Sequence, residues 1–457
     1  MNSSISSAHS TLVRMVKVTF GILALTLAFF FVDTAATAHP ADAPRSAKGH
    51  VVVQFGDHDL AARAINFTAP ISGLRALELT GFPLVTATYS WGTAVCSIGG
   101  VGCPASDCFC GGSTFWGYKY WDGSAWQDYA VGADSSTVND GAVEGWRWGA
   151  WGSAMQPARP VTSAVQALDW LRPRQSQTDG GFGNDGATAE AQLAIGANHY
   201  ASSEWQRQAG APSLLGYQMA YASRFAGQGA SAAGKLAVAQ MGAYAPCWTY
   251  NTRQPAYYYD AGTGAYSTEA GPHAWAMLGT VALSETVPAQ AVQYLKNLQQ
   301  SNGGWEWSPT WGTDTNTTAL ALQALVATGE SVSSAAITNG LAYLKSTQNA
   351  DGGFPYDPAS PWGNASDADS TAYVIQAILA AGQDPTASAW QMGGNDPYSF
   401  LLSLQLADGS FEWQSGSGSN QLATVQSVVA LLGRPFPLRV ARVDSCLVYH
   451  FPIIRRQ

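Results

Sequence analysis

The pattern Q-x-x-x-G-x-[W/F] occurs three times at intervals of roughly fifty residues, as Gln299 to Trp305, Gln348 to Phe354 and Gln405 to Phe411. A repeat of this length built from helix pairs specifies a stacked or closed array, because one pair alone cannot bury its apolar face. Each unit reads in the same order. An apolar stretch at helical spacing, such as Val292, Leu295 and Leu298, runs into the glycine stop Asn302-Gly303-Gly304, suited to a helix C-terminus. An aromatic and a polar loop follow. A second helix then opens on ready N-caps, in "DTNTTALALQALVATG" from Asp314, "DADSTAYVIQAILAAG" from Asp367 and "NQLATVQSVVALLG" from Asn420. A looser first unit carries Gln175 and Phe182, and between residues 200 and 290 the repeat is degenerate. The array is expected over residues 158–437, with the glycines ending an outer helix and the aromatic packing the turn. The loop then returns the chain to an inner helix.

Ahead of the array, residues 49–153 read as strands. "FWGYKYWDGSAWQDYAVG" alternates aromatic and polar residues around the turn Asp122-Gly123, and a second turn at Asp140-Gly141 precedes a Trp-rich strand. The expected fold is therefore mainly α, with a small antiparallel β-domain in front. At the N-terminus, Arg14 and Lys17 precede an apolar run from Val18 to Val32 and the small-residue site Ala36-Thr37-Ala38. This arrangement predicts a secretory signal over residues 1–38, with an uncleaved anchor as the alternative, and an extracytoplasmic chain. Cys96, Cys103, Cys108 and Cys110 crowd together, so two local disulfides are expected in that setting, with connectivity open and a zinc knot as the alternative. Cys247 and Cys446 stand apart and would staple the tail 438–457 to the array. A net charge of -9 argues against a nucleic-acid partner.

The repeat matches the QW motif of terpene cyclases. The array resembles the α/α toroid shared by squalene-hopene cyclases, protein prenyltransferase β subunits and the cobalamin carriers transcobalamin and intrinsic factor. The aromatic strands, G-x-x-W, D-G turn and final Trp resemble the carriers' small β-domain, although in the carriers that domain follows the toroid.

Each resemblance implies a different chemistry. Class II terpene cyclases protonate an alkene with the central Asp of D-x-D-D. Here "DADS" keeps Asp369 in that place and puts Ser370 where the last acid belongs, while the preceding unit has Asn316. An isolated Asp lacks partners to stabilise its conjugate base, which leans against an enzyme. A prenyltransferase zinc site finds no matching spacing among His199, His273 and Cys247. The carriers place polar residues at inner-helix starts against the corrin. By that resemblance Asp369, Ser370 and Thr371, with Asn316, Thr317 and Thr318, would contact ligand beside the caps Asp314 and Asp367. His273 would approach the cobalt, with a structural role as the alternative. Trp305, Trp307, Trp311, Tyr356 and Trp362 would line the mouth or pack the turns, and Trp116 and Tyr118 would close over the ligand from the β-domain. Capping alone is a further reading of the Asp residues. The expectation is a secreted binding protein holding a small molecule, a cobalamin-type corrinoid, between toroid and β-domain. A divergent terpene-cyclase-like enzyme and a surface or adhesion module with cell-surface partners are the alternatives.

Overall fold

The computed structural model describes residues 46–244, 253–361 and 363–438. The expected signal segment at residues 1–38, Cys247, Trp362, Cys446 and the tail beyond 438 lie outside the described residues.

The chain opens with the hairpin β1 (Ser46–Gly56) and β2 (Asp59–Thr68), followed by a short helix α1 (Gly73–Glu78). A three-stranded sheet β3 (Leu84–Tyr89), β4 (Gly92–Ile98) and β5 (Val101–Gly102) comes next, then β6 (Phe115–Trp121), β7 (Trp126–Asp128) and β8 (Val143–Gly149). The larger sheet has the order β2-β1-β8-β6-β7. It is not purely antiparallel as expected. β1 and β8 run parallel from His50↔Val143 to Gln54↔Arg147, because the long excursion between them lets the chain re-enter in the same direction. The run "HVVVQF" is apolar without alternation because both faces of β1 are covered. Val51, Val53 and Phe55 pack with Ile65, Trp116 and Trp146 inside the module, while Val52 joins the helical core. The four cysteines pair as Cys96–Cys108 and Cys103–Cys110.

The helical part contains α2 (Ala158–Leu171), α3 (Asp185–Ala197), α4 (Leu214–Ala226), α5 (Ala230–Gly242), α6 (Ala270–Ala282) and α7 (Ala289–Asn297). It continues with α8 (Thr315–Ala327), α9 (Ala335–Thr347), α10 (Ala368–Ala380), α11 (Pro397–Ser403) and α12 (Gln421–Leu431). α3, α5, α6, α8, α10 and α12 each pack on the next, and α12 returns to α3, closing an inner ring. α2, α4, α7, α9 and α11 pack around it. This is an α/α toroid. Inner helices such as "TTALALQALV" are apolar nearly all round because both their sides are covered. At the α5–α6 seam a Cβ on Gly234 would sit 2.1 Å from the Trp275 carbonyl oxygen, so only glycine permits that approach. Among the described residues no helix is long and apolar enough to cross a membrane.

The repeated glutamine holds the array together. Gln348 Nε2 donates to the carbonyl of Gly352 in its own turn (2.9 Å) and to that of Trp390 ahead of α11 (2.7 Å). Gln299 joins Gly303 to Ala336 of α9 in the same way. Gln405 joins Gly409 to Ser163 of α2, so the last unit is tied to the first. Gln175 of the loose unit makes the equivalent bond to Gly180. Gly303, Gly352 and Gly409 all adopt φ near +90°, which the turn requires and a side chain disfavours. The aromatics Trp305, Phe354 and Phe411 are fully buried. Their backbone N–H groups donate to Thr318, Thr371 and Thr424 in the first turn of the next inner helix. Replacing Gln348 by Ala leaves two carbonyls without their donor. We expect a loss of about 2 kcal/mol, measured by denaturant unfolding.

The β-module docks on the C-terminal ends of the inner helices. Asn198, the C-cap of α3, exchanges side-chain hydrogen bonds with both backbone groups of Ala62. Arg63 donates to the carbonyls of Asn198 and His199. Asp59 takes hydrogen bonds from His199 Nε2 (2.6 Å) and from Arg434, just beyond α12. Burial pushes His199 down to about 4, so it is neutral near pH 7 and meets Asp59 as a hydrogen-bond donor. Beyond Arg434 the chain turns into the ring. Phe436 lies 5.3 Å from the Trp275 ring and 6.4 Å from that of Tyr373, and its N–H donates to Gln323.

Candidate active site

With the C-terminal end covered by the β-module and Phe436, the opposite end is the mouth. The inner-helix starts are linked there in a belt. The N–H groups of Gly271, Thr315 and Ala368 donate to the carbonyls of Trp307, Tyr356 and Trp413 in the following hairpins. Gln421 closes the belt onto Phe182. The N-caps are Asn184, Gly229, Glu269, Asp314, Asp367 and Asn420.

Counting from these caps resolves the bore into layers. Two residues past the cap of α10 stands Asp369, and at that level the other helices carry Gly186, Ser231, Gly271, Asn316 and Leu422. Six residues past each cap stand Glu190, Lys235, Trp275, Leu320, Tyr373 and Gln426. Contacts join this lower layer. Lys235 pairs with Glu190 and lies 4.8 Å over the Trp275 ring, and Gln426 Nε2 reaches Glu190 at 3.4 Å. Phe436 forms the floor beneath it.

Among the described residues, two clefts at the mouth stand out. One, of about 380 Å³, is lined by Asn316, Tyr356, Asp367, Asp369, Ser370 and Trp413. The other, of about 500 Å³, is lined by Phe225, Lys235, Glu269, Pro272 and Trp307 among others. Burial, with the negative charges of Asp367 and Glu190 beside it, pushes Asp369 up to about 8. Its Oδ1 is buried without a hydrogen-bond partner. Its surroundings thus hold Asp369 toward its protonated form, and its Oδ1 takes no part in capping α10. Asp367 behaves differently although burial raises it too. Its oxygens cap α10 by accepting from the N–H and hydroxyl of Ser370 at 2.8 Å. Asp314, pushed to about 6 by burial, accepts the Thr317 N–H at 2.7 Å.

The raised value carries a sign for stability. The folded chain keeps the Asp369 proton up to about pH 8, whereas an unfolded Asp releases it near 4. Its contribution is complete below that unfolded value and is lost as pH climbs through about 8. Asp369→Asn should therefore melt higher than the parent at pH 8 and match it more closely at acid pH, as thermal melts across pH would record.

The structure sorts the expected site residues into groups. Asp369, Ser370, Asn316, Asp367 and Tyr356 share the first cleft, and Trp307 lines the second. Thr371 and Thr318 face the turns, not the bore, and accept backbone N–H groups there. Thr317 and Asp314 are buried in the α8 cap. Trp305 is a core residue whose indole donates to Leu295. Trp311 is 69% exposed and lines neither cleft. His273 has both ring nitrogens engaged, accepting from the Tyr266 N–H and meeting the Ala291 carbonyl at 2.9 Å, so it has no lone pair to offer a cobalt. Trp116 and Tyr118 belong to the interior of the β-module at the far end from the mouth, bonded to Val101 and to Glu144 and Ser136. Glu190, Lys235, Gln426 and Trp413 were not among the expected residues. Equal distance from successive caps is the signal that finds the first three.

A family profile described as the squalene-hopene cyclase C-terminal domain matches residues 259–423, which is less than half of the chain but includes Asp369 and the first cleft. No curated protein matches the chain. Among solved structures, the chain is similar to the type II terpene cyclase MstE from Scytonema at 15% identity, covering 61% of this chain and 98% of that one, with a TM-score of 0.46. A protein from Actinoplanes matches at 15% identity over 60% of this chain and 98% of its own, with a TM-score of 0.41. Candida albicans protein geranylgeranyltransferase-I complexed with GGPP matches at 12% identity over 61% and 86%, with a TM-score of 0.35. Likeness at this level has no bearing on function, which rests on the profile and on the geometry. The corrinoid-carrier expectation is overturned on both counts. The profile is that of a cyclase domain. The β-module sits at the closed end, so nothing entering the mouth lies between it and the toroid.

Proposed function

We propose that this chain is a terpene-cyclase-like enzyme in which Asp369 donates a proton to an alkene of a linear polyprenoid. The carrying observation is a buried carboxyl with an unpartnered oxygen on an aromatic-rimmed cleft, inside the segment that matches the cyclase profile. Proton transfer from the Asp369 hydroxyl to one alkene carbon leaves a carbocation on the other and a carboxylate on the enzyme. Successive double bonds attack the cation and close rings. Loss of a proton from carbon, or addition of water, ends the reaction. Asp367, Glu190 and the nascent Asp369 carboxylate place negative charge where the cation grows, and Tyr356 and Trp413 offer ring faces. Ser370 in place of the last acid leaves the D-x-D-D pattern incomplete. Export, with oxidation of the cysteine pairs, is proposed on the basic and apolar N-terminal segment. The test is to incubate purified protein with squalene and with shorter linear polyprenols and analyse the extracts by mass spectrometry. The reading expects cyclic products isomeric with the substrate or larger by one water. Unchanged substrate in every case would sink it.

A further inference from the structure

The ring that carries Asp369 is closed a short way beneath it. Tyr373 stands one turn below Asp369 on α10, four residues and therefore about 6 Å along the axis. At that level Trp275, Leu320 and Tyr373 are buried. Phe436, buried as well, packs 5.3 Å from the Trp275 ring and 6.4 Å from that of Tyr373. Among the described residues the bore is thus packed shut at this layer. The backbone of Phe436 crosses lower still, where its N–H donates to Gln323 Oε1 at 2.8 Å. The plug is anchored on both sides. Gly433, at φ +64°, turns the chain back after α12, and Arg434 is bound to Asp59 of the β-module. Leu438 lies so close to Gly242 of α5 that a Cβ there would meet its Cδ1 at 2.6 Å. An aromatic from beyond the last helix therefore occupies the depth into which a longer substrate would extend.

A carbocation survives only where water is kept out, so each ring must form inside the protein. From Asp369 that leaves the first cleft, of about 380 Å³, and one turn of bore beneath it. Such a volume lies near the lower end of small-molecule sites, which span about 300–1,000 Å³. We propose that the substrate is a short linear prenoid of about two or three isoprene units, closed to a product of one or two rings, and that Phe436 sets this limit by plugging the bore. The inference rests on the reading of Asp369 as proton donor. Phe436 is a specificity-determining residue that acts through the space it fills. Each ring consumes one double bond as a carbon–carbon bond forms, so the closed bore limits ring number as well as chain length.

The test incubates the full-length parent, Phe436→Leu and Phe436→Ala with geraniol, farnesol, geranylgeraniol and squalene. Cyclic products are quantified by mass spectrometry and their rings counted by NMR. The parent should cyclise geraniol and farnesol, and convert squalene at least about tenfold more slowly than farnesol. Phe436→Ala should raise the ratio of geranylgeraniol to farnesol turnover by about tenfold or more and yield some tricyclic product, with Phe436→Leu in between. Circular dichroism confirms that each variant folds, and Phe436→Leu, which keeps an apolar side chain in the ring, decides the matter if Phe436→Ala does not fold. Squalene cyclised by the parent as fast as farnesol, or a ratio unmoved in every folded Phe436 variant, would overturn the proposal while leaving Asp369 as donor. Cyclic product from none of the four substrates would overturn both.

Discussion

Asp369→Asn should lower turnover of a polyprenoid by about 10²–10⁴-fold with little change in substrate affinity and with an unfolding midpoint at neutral pH no lower than the parent's. The separation is sharp because the two Asp residues of "DADS" divide their labour. Asp367 caps α10, and its removal would cost helix stability. Asp369 makes no structural hydrogen bond through Oδ1, so its amide replacement removes a proton donor without breaking a hydrogen bond at that oxygen. Steady-state kinetics with an unfolding curve on the same preparation checks this. If Asp369 served only to contact a ligand, the variant would raise KM and leave kcat near the parent.

The largest expected effect on stability is at Trp305. Its side chain is fully buried, its indole donates to the Leu295 carbonyl at 2.8 Å, and its backbone N–H is fixed by Thr318. Trp305→Ala removes a large aromatic from between an outer helix and an inner one and strands the carbonyl. We expect a loss of about 3–5 kcal/mol, read from urea unfolding. Trp311 is the control. It lies in the same hairpin loop but is exposed, and Trp311→Ala should change stability by no more than about 0.5 kcal/mol. Similar losses for the two would mean that the aromatic of the repeat is not a core residue.

The repeat made the helical array legible because its glutamine, glycine and aromatic are bound by local geometry. Gln348 reaches Gly352 within its own turn, and Phe354 reaches Thr371 across one short loop. Each of these contacts lies within one unit, where spacing alone reveals it. Ring closure was less visible, since Gln405 to Ser163 spans the whole array. The caps were readable, but what stands beside them was not. Thr371 and Asp369 are both polar residues at the start of α10, and one turns to Phe354 while the other turns to the cleft. Only the helix's rotation against its neighbours decides between them. The placement of the β-module was misread for a related reason. Asp59 and Asn198 carry no motif, and their pairing with His199 and Ala62 fixes the module to the closed end of the ring. Glu190 escaped because its significance lies in the layer it shares with Lys235 and Gln426, and that layer exists only once six helices are aligned by their caps.

The most direct measurement of the central claim is turnover of squalene, or of whichever linear polyprenoid reacts, in deuterium oxide. A proton that starts the reaction from Asp369 exchanges with solvent beforehand, so the cyclised product should carry one carbon-bound deuterium, at the alkene carbon that accepted the starting proton, and Asp369→Asn should yield none of it. Cyclic product without deuterium at that carbon, or product formed equally well by the variant, would contradict the account.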